Sequence, residues 1–396
     1  MLSNKGSQIR PSSTLAIDAK AKQMQVDGID VVGFGAGEPD FDTPDHIKEA
    51  AIKAIEEGFT KYTPASGVLQ LKEAICRKLE EDNGLHYESD QIVISNGAKH
   101  SLMNVFQAIL NPGEEVIIPA PYWISYSEMV KMADGIPVIV KPHKENNLKV
   151  VLEQLEAAVT PRTKAIIINS PSNPSGMLYH REELQEIAEF AVRHNLFVVS
   201  DEIYEKLIYG DEEHVSIASL GQDIYERTIV VNGVSKSYSM TGWRIGYTAS
   251  SREVAKLMGN IQSHATSNPN SIAQRAAIAA LTGPQEPLKV MKEAFNERRI
   301  YMYNRIKAMP YLELLEPKGA FYVFVDVSAL FGKSCRGETI RSAADLARLL
   351  LEQVQVAVVP CEDFAYETHI RLSYAISMEN IRKGLDRLEA FLKEIE

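Results

Sequence analysis

The sequence predicts an α/β chain: a large domain built on a mostly parallel sheet sandwiched by helices, plus a smaller α+β domain. Three observations carry this. Between about residues 90 and 250, short apolar runs alternate with amphipathic stretches, the pattern of strands joined by crossover helices. After about residue 285 the texture changes to one long helix and then short strands with helices between them. And 396 residues are too many for one small core. The expected division is an N-terminal segment, 1–44, joining the small domain; a large domain, 45–284; and a C-terminal small domain, 285–396.

In order, Leu15–Gln25 reads as a helix, and Val31–Phe34 as a short strand entering a glycine-rich loop. Pro44 opens a helix with apolar residues at Ile47, Ala50, Ala51, Ala54 and Ile55. A second, with Leu71, Ile75 and Leu79, stops at Asn83-Gly84. The alternation that follows predicts strands at Ile92–Ile94, Glu115–Ile118, Ile136–Val140, Lys164–Asn169, Leu196–Ser200, Thr228–Val231 and Arg244–Ala249. Helices are predicted at Ala98–Leu110, Tyr122–Ala133, Leu152–Ala158 and Arg181–His194. The last third should hold helices Pro287–Met309, Ala343–Gln353 and Met378–Lys393, with strands at Leu312–Leu315, Ala320–Val325, Val356–Val359 and Ile370–Ser373.

The totals exclude several classes. A net charge of −11 argues against nucleic-acid and anionic-membrane binding, which need a basic face. No apolar run approaches the roughly 20 residues of a membrane helix. The N-terminus lacks the apolar core of a secretory signal, and Cys76, Cys335 and Cys361 form no metal or disulfide spacing. A cytoplasmic protein with reduced thiols is the expectation.

Ligands of such sheets bind where strands end, and Asn96, Asn173, Asp201 and Lys236 all fall there. Lys236 sits among Gly233, Ser235, Ser237 and Ser239, with Arg244 eight residues on, so an amine is held near an anion site. Taken alone, such a lysine is usually a solvated surface group. Gly97 links a strand to a helix, a turn whose N–H groups can hold a phosphate. GAKHS lacks the P-loop spacing, and GFGAGEPD has neither the glycine spacing nor the helix of a dinucleotide site. A carboxylate at the buried strand end, Asp201, needs a partner; as a functional group it would hold a heterocycle nitrogen protonated. Tyr204 is three residues away, on the same side if the turn is helical. Asn173 lies in the proline-bracketed turn SPSNPSG and suits a fixed hydrogen-bond donor, Trp123 suits core or stacking platform, and Arg371 either edge residue or carboxylate clamp.

Taken together, GEPDF, KYTPASG, SNGAK, PYW, NSPSNPSG, SDEIY, VSKSYSMTGWRIGY, GAFY and RLSY, in that order, resemble the class I/II pyridoxal-phosphate aminotransferases of fold type I over nearly the full chain. The resemblance is strongest to the bacterial aspartate aminotransferase branch, which overlaps the prephenate aminotransferases. It implies that Lys236 holds pyridoxal 5'-phosphate as a Schiff base and, once freed, is the general base at Cα. It implies that Asp201 pairs with the pyridinium nitrogen, that Tyr204 and Asn173 bond the phenolic oxygen, and that Trp123 stacks on the ring. Gly97, Ala98, Lys99, Ser235 and Arg244 would hold the phosphate end. Tyr62 would reach the phosphate from the other subunit of a homodimer. Arg371 would fork the substrate α-carboxylate, with Asn173, Trp123 and the Gly37 N–H beside it.

The arginine with which other aspartate enzymes of the family read the distal carboxylate has no counterpart in SHATSNPNS. Lys99 and Thr14 match the positions that take this role in the branch resembled. The expected reaction is L-aspartate with 2-oxoglutarate, with prephenate as a further acceptor. An aromatic or alanine aminotransferase, or a C–S β-lyase, is the alternative on the same fold. A non-catalytic sensor would need a basic DNA-binding module of roughly 70 residues, and only about 30 residues precede GFGAGEPD.

Overall fold

The computed structural model describes residues 2–9 and 13–396, except the side chains of residues 13–16, 18 and 144. The chain begins with a short helix α1 (Asn4–Ser7), helix α2 (Ser13–Val26) and strand β1 (Val32–Gly33). Helices α3 (Asp45–Glu56) and α4 (Leu69–Asn83) follow; Gly84 ends α4 in the left-handed region at φ 66°, which a glycine adopts without steric cost. Then come β2 (Ile92–Ser95), α5 (Ala98–Ile109), β3 (Glu115–Pro119), α6 (Ser125–Met132), β4 (Ile136–Val140), α7 (Leu152–Ala158) and β5 (Thr163–Asn169). After α8 (Arg181–Arg193) come β6 (Phe197–Asp201), a short α9 (Gln222–Tyr225), β7 (Thr228–Gly233) and β8 (Gly246–Ala249).

These strands form one seven-stranded sheet in the order β2-β8-β7-β6-β5-β3-β4. Strand β8 runs antiparallel to β2 and β7, and the remaining pairs are parallel. The parallel strands β5, β6 and β7 are buried along most of their length, so their sequences read as continuous apolar runs. Ile166 and Val198 pack on Leu184, Ile187 and Phe190 of α8. Val93 and Val231 pack on Leu102 and Val105 of α5 and Met129 of α6.

Helices α10 (Arg252–Ala265) and α11 (Ser271–Thr282) were not expected from the sequence. Each starts at a side-chain cap: the Ser251 hydroxyl accepts from the Val254 N–H and the Asn270 carbonyl from the Ala273 N–H. Their caps lie in polar stretches that read as loop. The helix expected from Tyr122 begins at Ser125, and the strand expected from Arg244 begins at Gly246, because Arg244 adopts φ 58°.

Helix α12 (Glu286–Lys307), β9 (Glu313–Leu314), β10 (Tyr322–Asp326), the hairpin β11 (Ser334–Cys335) and β12 (Glu338–Thr339), α13 (Ala343–Val354), β13 (Val356–Ala357), β14 (Val359–Pro360), β15 (His369–Ser373) and α14 (Met378–Lys393) complete the chain. A four-stranded antiparallel sheet has the order β14-β15-β10-β9. Strand β1 pairs in parallel with β13, far along the chain. Val32 and Phe34 share a core with Phe321, Ile370 and Leu385.

Two backbone segments meet closely at the end of the large sheet. A Cβ built on Gly246 would lie 2.2 Å from the Ala98 nitrogen and 2.4 Å from the Gly97 carbonyl carbon. Neither backbone atom can swing aside as a side chain would. Gly246→Ala should therefore destabilise the apoprotein by about 2 kcal/mol or more in urea unfolding.

Candidate active site

One cavity of about 520 Å³ opens at the carboxyl ends of β5 and β6. It collects Lys236, Asp201, Tyr204, Asn173, Trp123, Ala98, Lys99, Ser235, Arg244, Gly37 and Arg371 from the sequence expectation. Gly97 stands just outside, as the residue before α5, with φ 84°. A Cβ there would lie 2.3 Å from Arg244 Nη2 and push the guanidinium aside, and the positive φ favours glycine. Tyr62 is 90% exposed and does not line this chain's cavity. The Thr14 side chain lies outside the described residues.

The pairing of β5 with β6 puts Asn169 opposite Asp201. Asn169 Nδ2 donates to the Asp201 carbonyl at 2.9 Å, and Asn169 Oδ1 accepts from the Asn173 N–H at 2.8 Å. One asparagine thus ties the Asn173 turn to the strand end carrying Asp201. The Asp201 carboxylate accepts from the Tyr126 hydroxyl at 2.6 Å and from the Ile203 N–H at 3.3 Å. Burial pushes its pKa up to about 6, against the lowering effect of those two donors. The residues after Asp201 form a turn rather than a helix. Tyr204 still faces the cavity, its hydroxyl 3.1 Å from that of Tyr322.

Lys236 is part-buried at the cavity wall, and its ammonium donates to the Gly37 carbonyl. Burial pulls its pKa down to about 8; nearby Arg244 and Arg371 act in the same sense, Glu38 and Asp201 in the opposite one. Arg244 donates to the carbonyls of Thr241 at 2.7 Å and Asn96 at 3.3 Å, which holds it beside the N-terminus of α5. Lys99 Nζ lies 4.7 Å from the centre of the Trp123 ring, and burial, then Arg244, lowers its pKa.

Arg371 is on β15, between β14 and β10, so it is a central-strand residue and not an edge one. It is only 2% exposed. Nη1 donates to Asn173 Oδ1 at 2.9 Å and Nη2 to the Gly35 carbonyl at 3.1 Å, while buried Nε has no hydrogen-bond partner. Its guanidinium carbon lies 4.4 Å from the centre of the Tyr322 ring.

Among the cavity residues that carried no role from the sequence are Tyr126, Tyr322, Asn169, Lys22 and Thr241. GAFY flagged the segment of Tyr322 without marking its hydroxyl. Tyr126 sits inside α6, where an aromatic reads as ordinary core. The arrangement fits a phosphorylated heterocycle with a cationic nitrogen. It offers an arginine beside a helix N-terminus, a buried carboxylate whose pKa desolvation raises, a part-buried amine whose pKa is lowered and an aromatic platform.

Fold and site together define a lysine enzyme for pyridoxal phosphate on an α/β scaffold. The model of the family "Aminotransferase class I and II" matches residues 29–388, and the chain belongs to that family, whose members use pyridoxal phosphate. It is 48% identical to an aspartate aminotransferase of Bacillus sp. over 99% of both chains. It is 47% identical to an aspartate/prephenate aminotransferase of Cereibacter sphaeroides over 98% of both. Among solved structures, an aspartate aminotransferase from Rhizobium meliloti superposes with a TM-score of 0.96 at 42% identity over 100% of both chains. The Thermus thermophilus aspartate aminotransferase with maleate gives 0.93 at 42% identity over 99% of both.

The lowered pKa of Lys236 fixes the sign of a pH effect. Between about pH 8 and the unfolded value near 10.5, the unfolded chain binds the extra proton, so stability rises with pH. Below about pH 8 the buried ammonium costs up to about 3 kcal/mol. Lys236→Met apoprotein should lack this rise. The check is urea unfolding of both apoproteins from pH 7 to 10.5.

Proposed function

We propose that the protein transfers the amino group of L-aspartate to 2-oxoglutarate, giving oxaloacetate and L-glutamate, and that it also accepts prephenate. The observation that carries this reading is the presence of two separate cationic groups, Arg371 and Lys99, in the same cavity as Lys236 and Asp201. A dicarboxylic substrate needs one for each carboxylate. The names of the aspartate and aspartate/prephenate relatives support it.

When bound, pyridoxal phosphate supplies a cationic conjugated ring that accepts the electron pair left at Cα. Arg244, Ser235, Gly97 and the first N–H groups of α5 hold its phosphate. Asp201, kept in place by Tyr126, holds the ring nitrogen in its protonated state. Tyr204 and Asn173 would donate to the phenolic oxygen, and Trp123 would supply an apolar wall beside the ring. Arg371 orients the α-carboxylate, and the Gly37 N–H adds a donor. Lys236 Nζ, with its pKa near 8, takes the proton from Cα of the first substrate and returns one to Cα of the second. Lys99, with Thr14, receives the distal carboxylate or the second acid group of prephenate.

The working form is a homodimer in the cytoplasm, with Tyr62 contributing to the partner's phosphate site. The 90% exposure of Tyr62 supports this. Among the described residues no helix is long and apolar enough to cross a membrane. Residues 45–284 form the large unit and 285–396 the small one; the pairing of β1 with β13 supports assigning 1–44 to the latter.

Amino acids added one at a time to the purified, cofactor-loaded protein should discharge its visible absorbance fastest with aspartate and glutamate. Absence of a bound chromophore after adding cofactor overturns the reading. Lys99→Ala should cut kcat/KM for aspartate about 10- to 100-fold, the value of a charged hydrogen bond, and leave a neutral amino acid unchanged. Equal effects on both would remove Lys99 from substrate recognition. Arg371→Lys should lower kcat/KM about 100-fold for every amino acid tested, because it loses the fork.

A further inference from the structure

Next to Asp201, but outside the cavity, lies a second buried polar cluster. Glu202 is 1% exposed. Its Oε1 accepts from the Ser200 hydroxyl at 2.8 Å and the Ser216 hydroxyl at 2.7 Å, and its Oε2 is 3.0 Å from His214 Nε2. Glu205, also buried, pairs with Lys78 and accepts from Asn83 Nδ2 at 3.0 Å. His214 Nε2 is 4.0 Å from Glu205, which joins the two halves. Two carboxylates thus face one ammonium and one imidazole, and the cluster is neutral with His214 protonated.

Glu202, Glu205 and His214 bring potential ligand atoms within 4.8 Å of one another. Lys78, already in contact with Glu205, supplies the positive charge that a metal ion would bring. Its location suggests another purpose. Asp201 and Tyr204, the two groups aimed at the cofactor, alternate along the chain with Glu202 and Glu205. From the cavity side the two side chains are held by Tyr126 and the Ile203 N–H on the Asp201 carboxylate and by Tyr322 on the Tyr204 hydroxyl, while Asn169 holds the Asp201 carbonyl. From the other side, the Glu202 N–H donates to the Val231 carbonyl of β7 at 2.9 Å, and the Glu202 side chain ties the end of β6 to the loop carrying His214 and Ser216.

We propose that Glu202 is a positioning residue: anchored by Ser200, Ser216 and His214, it sets the backbone turn so that Asp201 and Tyr204 meet the cofactor ring together. This rests on the aminotransferase reading. The negative charge of Glu202 also acts on Asp201, in the direction that favours its protonated form. A carboxamide keeps the shape but offers one acceptor oxygen where three donors converge.

The test uses full-length protein loaded with cofactor, as parent, Glu202→Gln, and a Glu202→Gln/His214→Gln double variant that keeps the cluster neutral should the single one fail to fold. Three quantities are read: kcat and KM for aspartate, the pH titration of the bound cofactor's visible absorbance, and thermal unfolding of the apoprotein. A misplaced Asp201–Tyr204 pair should lower kcat about 10- to 100-fold with KM changed by less than about threefold. The absorbance titration should move by more than about half a pH unit. A folded variant that unfolds at lower temperature but keeps the parent's kcat and titration overturns the proposal, since that is a purely structural role. A parent that forms no oxo acid overturns the aminotransferase reading instead.

Discussion

Among the described residues, five cationic side chains, Lys22, Lys99, Lys236, Arg244 and Arg371, line one cavity with the carboxylates Glu38 and Asp201. Like charges in a partly dry pocket repel strongly, and much of the architecture around the site answers that repulsion. Lys236 rests on the Gly37 carbonyl, Arg244 on those of Thr241 and Asn96, Arg371 on Asn173 and the Gly35 carbonyl, and Lys99 lies over the Trp123 ring. These are neutral acceptors, so the positive charge is steadied without being cancelled. A chain of net charge −11 thereby keeps a local site for anions.

The scaffold makes this possible by bringing backbone, rather than side chains, to the critical points. Gly246 on β8 lets that strand touch the turn before α5, and Gly97 leaves room for the Arg244 guanidinium. Asn169 carries the register of β5 against β6 into the Asn173 turn, and Asn173 passes it to Arg371 on the other sheet. A displacement in any one of these segments is felt at the reacting atoms, as expected for groups placed on rigid elements.

The alternation of apolar runs and helical periodicity made the large sheet legible, because buried parallel strands leave an unambiguous pattern. Lys236, Asp201, Asn173 and Arg371 were legible through the ordered motifs around them and converge in one cavity. What was hidden depends on long-range packing. Helices α10 and α11 start at side-chain caps set in polar stretches. Tyr126 reaches Asp201 from 75 positions away, and nothing local separates it from an ordinary core tyrosine. Nothing in SDEIY itself marks Glu202, whose partner His214 lies twelve residues on in a loop that folds back against it.

The parallel pairing of β1 with β13 has a consequence for biosynthesis. Val32 leaves the ribosome early, yet its partner Val356 follows only after more than three hundred further residues. The large sheet can therefore assemble during translation from neighbouring strands, while the N-terminal segment stays without its hydrogen-bonding edge. The apolar side chains of Val32 and Phe34, buried in the finished protein, are exposed throughout that interval. Closing the small domain over the N-terminal segment is thus among the last steps of folding.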